Sequence, residues 1–410
     1  MKRLPRFVVT ISASHALTNL ATAMVSLATI WFVSGLSHRP NLLVELYVLL
    51  ELPYLFFLIP SGRWVDGRRR YPFVILLGAL RLAVMIGFAV WAQNGPVAVA
   101  GVIGFLTLNE ITTAILQPAR SAWTTELVPI SQRADLAALN QGGVAIAAIL
   151  GPAIGGFLYT RGRLGGVVGA AVGLMTLSWV IVLWAGWGRE VRTNSLVPRT
   201  RKRQGFQFLR HHPGMLMMIS FFALTNALNN VEAVLVPLLA HQVLHLASWE
   251  FGLLAVTGGG GALLGSGLIA RLFRNRSIRW TFVFMGVFGS TIVVMGLARN
   301  LATLGVCYLL LGLSFSVTEV ITSTLWQVVV PDTVRAEVMG ALSTIARAAN
   351  PAGYVLAGAL DGWLGIRGGP VTGGLAIIAL SLVMAYNRSM VALDHASASQ
   401  TSGTMRQPLS

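Results

Sequence analysis

Long apolar segments recur along this chain and constrain its fold more than any other feature of the sequence. A bilayer core of ~30 Å is crossed by a helix of roughly 20 apolar residues. Segments of that length, separated by polar intervals, occupy 7–33, 42–61, 72–92, 96–118, 133–160, 164–187, 214–240, 249–273, 279–298, 301–327, 336–362 and 369–389. The sequence therefore predicts an all-α integral membrane protein with twelve transmembrane helices, called predicted spans 1–12 in this order.

The composition supports a membrane protein. Of the 410 residues, 55% are hydrophobic and 11% are charged, whereas soluble domains carry about 25% charged residues. The 44 glycines suit closely packed membrane helices. Cys307 is the single cysteine, which leaves no internal disulfide. Predicted span 1 is longer than the apolar core of a cleaved signal peptide, so we expect it to be retained.

The distribution of basic residues predicts the orientation of the chain. With the N-terminus in the cytoplasm, 23 of the 30 Lys and Arg lie in cytoplasmic segments, 5 lie outside, and Arg81 and Arg347 fall within helices. The positive-inside rule favours this arrangement, with both termini cytoplasmic. The net charge of +16 therefore reflects membrane topology, and we expect no nucleic-acid partner because no basic stripe with interleaved aromatic residues occurs.

The two halves of the sequence resemble each other. The tetrapeptide "ALTN" begins at 16 and again at 223, and "VPISQRAD" from 128 matches "VPDTVRAE" from 330. Gly62 and Gly267, at the ends of predicted spans 2 and 8, are separated by nearly the same number of residues as the two members of each of these matches. These ordered matches indicate a duplication, and two halves of equal orientation imply parallel six-helix repeats about an axis normal to the membrane.

The repeats define the expected domains. We predict an N-terminal six-helix bundle over 1–187, a basic cytoplasmic linker over 188–213, a C-terminal six-helix bundle over 214–390 and a disordered cytoplasmic tail over 391–410. The linker contains seven Lys or Arg and no long apolar run. The tail has the polar composition of a disordered segment.

Several motifs resemble those of the major facilitator superfamily. They are "GRWVDGRRR" (62–70), "PARSAWTTELVPISQRADLAALNQ" (118–141), "LGPAIGGFL" (150–158) and "RAEVMGALSTIARAANPAGYVLAGAL" (335–360). The resemblance covers both halves and is closest to the enterobactin-exporter and macrolide-efflux branch. It implies a transporter in which two halves rock around a midplane site, with predicted spans 1, 4, 7 and 10 around the central cavity.

The charged loop between predicted spans 2 and 3 combines two roles. Its arginines fix orientation and can contact anionic headgroups. A cytoplasmic acid adds nothing to that topology, and the resemblance implies that Asp66 latches the cytoplasmic side shut near the start of predicted span 11. The alternative is an ordinary surface acid. The gating set that follows from the resemblance is Gly62, Asp66, Arg68, Arg69, Arg70 and Arg120.

Small residues repeat every four positions in predicted span 5. Gly143, Ala147, Gly151 and Gly155 fall on one helical face, a spacing that lets two backbones approach closely. Pro152 removes one backbone donor and can bend the helix. The packing motif Gly151, Pro152, Gly155 and Gly156 resembles one found in exporters of the superfamily, which favours efflux; plain helix packing explains the same residues without indicating a direction.

Charged residues lie inside several predicted spans, among them Glu51, Glu110, Glu232 and Glu319 with Arg81 and Arg347. A charge at a helix centre costs roughly 2.5–3.5 kcal/mol on insertion scales, so each needs a partner or a wet cavity. From their similar depths we expect Arg81 to bridge Glu51 or Glu110, and Glu319 to pair with Arg347.

The remaining polar residues of the spans outline a pathway. An acid that faces the cavity can load and release a proton as access alternates, and the resemblance places predicted spans 4, 7 and 10 at the cavity. Alternatively, polar side chains hold helices together at ~0.6 kcal/mol per contact. The residues expected along the substrate and proton pathway are Glu110, Glu232, Glu319, Asn19, Asn226, His15 and Glu51.

Motifs for ATP binding, metal binding and enzyme catalysis are absent from the sequence. Only Lys2 and Lys202 occur, and neither follows a glycine, so the sequence has no ATP-binding loop of the "GKS" or "GKT" type. His241 and His245 stand four apart without a further ligand cluster, so we predict no metal site and no cofactor. The sequence also lacks "HExxH" and "GxSxG", which argues against an intramembrane enzyme.

The sequence thus predicts a secondary active transporter that exports small amphipathic or hydrophobic compounds, drug or siderophore-like, by proton antiport with alternating access. Its partners would be a small-molecule substrate, protons and the lipid bilayer. It would act as a monomer, a multi-pass protein of the bacterial cytoplasmic membrane. The open alternatives are a lysophospholipid flippase or a facilitator of the same fold and, from a different class, an intramembrane enzyme.

Overall fold

The computed structural model describes residues 4–36, 41–65, 69–188, 204–269, 272, 277–387 and 390, and its regular structure is helical throughout those residues. The α-helices are α1 (Arg6–Leu36), α2 (Asn41–Val65), α3 (Arg70–Asn94), α4 (Val99–Glu126), α5 (Arg133–Gly186), α6 (Gln204–His211), α7 (Pro213–Leu238), α8 (Ser248–Leu264), α9 (Arg279–Gly296), α10 (Leu301–Val329), α11 (Asp332–Ala348) and α12 (Asn350–Ala385). The predicted all-α membrane fold is confirmed.

Two of the long helices contain a sharp backbone break. In α5 the break is at Arg163 (φ 47°, ψ −157°), and in α12 it is at Gly365 (φ 71°, ψ 173°). A positive φ is accessible to glycine without the steric cost that a Cβ brings, whereas it is uncommon for arginine. Each break divides one continuous helix into two lengths, which is consistent with predicted spans 5 and 6 in α5 and with predicted span 12 in the second length of α12.

Within the described residues, eight helical segments are long and apolar enough to cross a membrane. They are Arg6–Leu36, Arg70–Asn94, Val99–Glu126, Ile130–Gly186, Pro213–Val243, Arg279–Gly296, Leu301–Gln327 and Glu337–Ala385. Two of these segments contain the breaks in α5 and α12 and are long enough for two crossings each. Predicted span 11 begins in α11 and continues, after an interruption at Ala349, into α12.

The chain divides into two compact units. Unit 1 comprises residues 1–196 and 245–256, and unit 2 comprises 197–244 and 257–410. The predicted linker lies partly outside the described residues, at 189–203, and its remainder includes the short helix α6. The predicted tail, 391–410, lies outside them altogether. The domain boundaries drawn from the sequence stay predictions.

Unit 1 is built around the pairing of α1 with α5. These two helices make the most extensive helix–helix contact in the structure, while α2 packs on α4, and α3 packs on both α4 and α5. A buried apolar cluster joins α1, α3, α4 and the second length of α5, through Ile11, Val74, Leu77, Leu116, Ala119, Trp123, Val182 and Ala185. The interior of unit 1 therefore lies between these four segments.

Unit 2 has a similar set of close helix pairs. Helix α12 packs against α7 and α9, and α9 also packs against α10. A Cβ placed on Gly374 of α12 would lie 2.5 Å from the carbonyl oxygen of Gly289 in α9, so only glycine permits this backbone approach. The small residues of these apolar helices are thus used for backbone contact, as in other membrane bundles.

Candidate functional site

Arg81 of α3 is the centre of a buried polar network in unit 1. Its side chain is 6% exposed, and its guanidinium donates from Nε to Asn109 Oδ1 and from Nη2 to Thr22 Oγ1, both at 2.9 Å. Asn109 lies on α4 and Thr22 on α1, so one side chain ties three helices together. Hydrogen bonds to a charged group contribute about 1.5–3 kcal/mol each.

Asn109 also connects Arg81 to an acid. Its amide Nδ2 donates to Glu110 Oε1 at 3.3 Å, and the Glu110 carboxylate exerts a favourable Coulomb interaction on Arg81. The sequence predicted that Arg81 bridges Glu51 or Glu110; in the structure Asn109 links the arginine to Glu110. Glu51 is partly buried on α2.

Glu110 lines a cavity of about 100 Å³ inside unit 1. Helices α1 to α5 all contribute to its walls, and the polar lining residues include Thr22, Ser26, Thr29, Tyr47 and Asn109. That volume exceeds the ~10–15 Å³ that one water needs. The carboxylate of Glu110 therefore has both a charged neighbour and space for water, the two conditions that make a buried charge tolerable.

A smaller cavity of about 50 Å³ lies beside this network. It is bounded by α1, α3, α4 and the second length of α5, and His15, Thr18, Arg81, Arg120 and Ser178 are among its lining residues. His15 is 6% exposed, and its Nε2 has no hydrogen-bond partner. The sequence placed Arg120 in the gating set; in the structure its side chain faces this cavity within unit 1.

Glu232 of α7 is the buried acid of unit 2. Its side chain is 8% exposed, and Tyr308 of α10 donates to its Oε1 at 3.4 Å. Near it, the Asn230 amide donates to Asn350 Oδ1 at 3.0 Å, which joins α7 to α12. Among the described residues no lysine or arginine forms an ion pair with Glu232.

The other predicted pathway residues are less enclosed. Asn19 on α1 and Asn226 on α7 are partly buried, Glu319 on α10 is exposed, and Arg347 on α11 is partly buried. The predicted pairing of Glu319 with Arg347 stays a prediction, as do the roles of the two asparagines.

The gating loop is described only at its ends. Gly62 lies within α2, whereas Asp66 and Arg68 fall outside the described residues. Arg69 is exposed and precedes α3. Arg70 forms an ion pair with Glu126, which ties the first turn of α3 to the end of α4. This contact gives Arg70 a structural partner that the sequence analysis did not anticipate.

The helix-5 motif makes close contact with two other segments of unit 1. A Cβ placed on Gly155 would lie 2.7 Å from the carbonyl oxygen of Met24 in α1, and one on Gly156 would collide with the Ser248 carbonyl. The Ser248 hydroxyl donates to the Gly156 carbonyl at 2.8 Å. The predicted small-residue face is therefore a backbone-contact surface, with Pro152 inside the same helix.

Three solved transporter structures resemble this chain in fold. A bacterial homologue of the human lysosomal transporter Spinster, inward-facing and unoccupied, has TM-score 0.67 and 12% identity, covering 99% of this chain and 98% of that one. A mutant peptide transporter bound to alafosfalin has TM-score 0.73 and 15% identity, with 97% and 96% covered. A mutant nucleoside transporter has TM-score 0.66 and 11% identity, with 94% and 98% covered.

At these identities the structural likeness establishes the fold alone. No protein of curated function matched the sequence. The family model of the Major Facilitator Superfamily, however, matches residues 9–353. That match spans most of both repeats, so this chain belongs to the major facilitator superfamily and is a multi-pass membrane transporter rather than an enzyme.

Proposed function

We propose that this transporter exports small amphipathic or hydrophobic compounds from the cytoplasm by proton antiport. The membrane would be the bacterial cytoplasmic membrane, with both termini inside, in accordance with the positive-inside rule. The direction of transport rests on the resemblance of its motifs, including the helix-5 glycines, to exporters. The coupling ion rests on one structural observation, the environment of Glu232.

Glu232 is an acid in apolar surroundings. Its neighbours along α7, Val231, Val234 and Leu235, are fully buried, and its hydrogen-bond donor is the neutral hydroxyl of Tyr308. A charge at the centre of a membrane helix costs roughly 2.5–3.5 kcal/mol on insertion scales. A proton removes that cost, and a tyrosine hydroxyl can donate to either form of the carboxyl group. The site therefore supports binding of a proton when water has no access and its release when water enters.

The two other candidate acids fit this role less well. Glu110 has the Coulomb interaction of Arg81 and a hydrogen bond from Asn109, which favour a carboxylate that stays charged. The side chain of Glu319 is exposed, whereas that of Glu232 is enclosed by its neighbours. We therefore assign proton coupling to Glu232 and a structural role to Glu110.

Transport by purified protein in proteoliposomes tests this assignment. With an imposed pH gradient and a fluorescent amphipathic dye as the probe, wild-type protein should move the dye against its own gradient. Glu232→Gln should abolish that uphill movement and retain dye exchange at equal concentrations, because the amide mimics the protonated acid and cannot release a proton. Glu45→Gln, at an exposed position of α2, is the matched control and should behave as wild type.

Three outcomes would contradict the proposed function, and each points to a different alternative. Uphill movement by Glu232→Gln at the wild-type rate would show that coupling lies elsewhere. Downhill flux by the wild type with no response to the pH gradient would identify a facilitator. Movement of a labelled lysophospholipid, with none of the dye, would identify a flippase instead of an exporter of soluble compounds.

A further inference from the structure

We infer that the smaller cavity of unit 1 is a binding site for a small monovalent anion. The cavity lies between α1, α3, α4 and the second length of α5; its cationic lining residues are Arg81 and Arg120, and the imidazole of His15 lies beside them. This inference concerns an ion held within one unit. It is independent of the direction of transport and of the coupling ion proposed above.

The neutral hydrogen-bond donors around the cavity already bond to groups on neighbouring helices. Ser178 Oγ donates to the Ser14 carbonyl at 2.7 Å, and Thr18 Oγ1 lies 2.7 Å from Ser178 Oγ. The indole Nε1 of Trp179 donates to the Ile75 carbonyl at 3.1 Å. These bonds join α5 to α1 and α3, and the serine and tryptophan hydrogens that make them are no longer available to a ligand.

Two nitrogen-bearing side chains of the cavity, those of His15 and Arg120, make no such bonds. His15 Nε2 is buried and has no hydrogen-bond partner, and the Arg120 guanidinium forms no hydrogen bond or ion pair with any described residue. More than nine-tenths of buried polar groups in native proteins are paired, and an unpaired one such as His15 Nε2 costs free energy; Arg120 is partly buried. An acceptor located between these two side chains would satisfy both.

The charge balance of the cavity indicates the sign of the missing partner. Arg81 and Arg120 repel each other, and Arg120 disfavours a positive charge on His15. Arg81 has the compensating interaction of Glu110, whereas no aspartate or glutamate lines the cavity among the residues described. The partly buried Arg120 thus lacks a negative partner in the cavity, and a charge removed from water without a partner costs free energy, so an anion is the ligand that this group of residues favours.

The size of the cavity limits the ligand. Its volume of about 50 Å³ exceeds the ~10–15 Å³ that a water molecule requires. It is far below the ~300–1,000 Å³ of pockets for drug-sized compounds. The cavity therefore fits chloride or a carboxylate as small as acetate. The exported compound is too large for it.

Anion binding can be measured on the purified full chain in detergent. At constant ionic strength with gluconate as the bulky reference anion, chloride or bromide should raise the Tm of the wild type by a few degrees in a saturable way. Crystals soaked in bromide should show one anomalous peak between His15 and Arg120. Acetate titrated in the same way shows whether a carboxylate can take the place of the halide.

Variants of Arg120 test whether the anion-dependent rise in Tm originates in the cavity. Arg120→Gln should lose the saturable rise in Tm, and Arg120→Lys should keep a weakened one because it preserves the charge. Arg161→Gln is the matched control, since the Arg161 guanidinium lies over the Phe157 ring on the exposed side of α5. It should respond to chloride as the wild type does.

Two results would overturn the inference. One is a wild-type protein whose Tm has no saturable dependence on chloride, bromide or acetate. The other is a full response in Arg120→Gln, or a bromide peak away from His15. If Arg120→Gln does not fold, His15→Asn and Arg120→Lys decide the question by the position and occupancy of the bromide peak.

Discussion

Arg81 shows how single residues set the structure of unit 1. Its Nε and Nη2 point in fixed directions, toward Asn109 on α4 and Thr22 on α1. A guanidinium is planar and presents its donors as a rigid fork, whereas an ammonium is a compact charge on a flexible stem. The shape of the side chain, in addition to its charge, therefore holds the three helices together.

We expect Arg81→Lys to be destabilising although it conserves charge. A lysine can keep one of the two contacts, and the lost bond to a charged group is worth about 1.5–3 kcal/mol. The Tm of the purified protein in detergent should fall, while Arg161→Lys, at an exposed position, should leave it unchanged. Equal Tm values for Arg81→Lys and the wild type would mean that charge alone determines the stability of this network.

Sequence reasoning located the charges of this network but not its neutral members. Arg81 and Glu110 are conspicuous because charge is rare in apolar helices, and their similar depths indicated proximity. Asn109 and Thr22 have no such signal, since amides and hydroxyls are common in membrane helices and only the packing of α1, α3 and α4 brings them together. The cavity at His15 and Arg120 was missed for the same reason, because it depends on residues from four separate segments.

At the scale of helices, the close approach of α1 and α5 depends on a few glycines. A Cβ on Gly155 would be 2.7 Å from the Met24 carbonyl oxygen and 2.8 Å from Met24 Cα, whereas nothing lies within 4 Å of one on Gly142 in the same helix. Both neighbouring atoms belong to backbone, which cannot move aside as a flexible side chain can. The two glycines of one helix therefore have opposite tolerance for a methyl group.

We predict that Gly155→Ala destabilises the protein by about 1–3 kcal/mol, the usual cost of forcing extra volume into a packed interior. Gly142→Ala should be neutral or slightly stabilising, because alanine is the better helix former by about 1 kcal/mol. Thermal unfolding of both variants in detergent measures the difference. If the two variants unfold at the same temperature, α1 and α5 can separate without cost.

The sequence predicted the positions of the helices better than their continuity. Apolar runs mark where helices occur, so the starts of α1, α5, α7 and α10 lie close to the predicted spans. Runs of apolar residues do not reveal that α5 continues through Arg163 or that α11 ends at Ala348. Those features depend on the local backbone, and a hydropathy pattern does not record φ and ψ.

For the whole molecule, membrane topology and internal repetition are linked. Two parallel six-helix repeats require an even number of crossings in each half, which places both ends of the chain on one side. The 23 of 30 basic residues in the predicted cytoplasmic segments predict that this side is the cytoplasm.

Reporter tags at residues 1 and 410 should therefore both be cytoplasmic. Fusions whose enzymatic activity or fluorescence depends on the compartment measure this directly in cells, and a fusion after Asn94, in the predicted external interval between α3 and α4, is the control with the opposite signal. If the termini lay on opposite faces of the membrane, the number of crossings would be odd. The chain could then not consist of two parallel six-helix repeats.

The network around Arg81 also has a consequence for how the protein is made. Chains emerge from the ribosome N-terminus first, so Thr22 is already in the membrane when Arg81 arrives, and Asn109 is not yet synthesised. Helix α3 has the highest mean hydropathy among the described spanning segments, a surplus that offsets the roughly 2.5–3.5 kcal/mol cost of its arginine. We expect the insertion machinery to retain α3 until α4 joins it and to release the two into lipid as one hairpin.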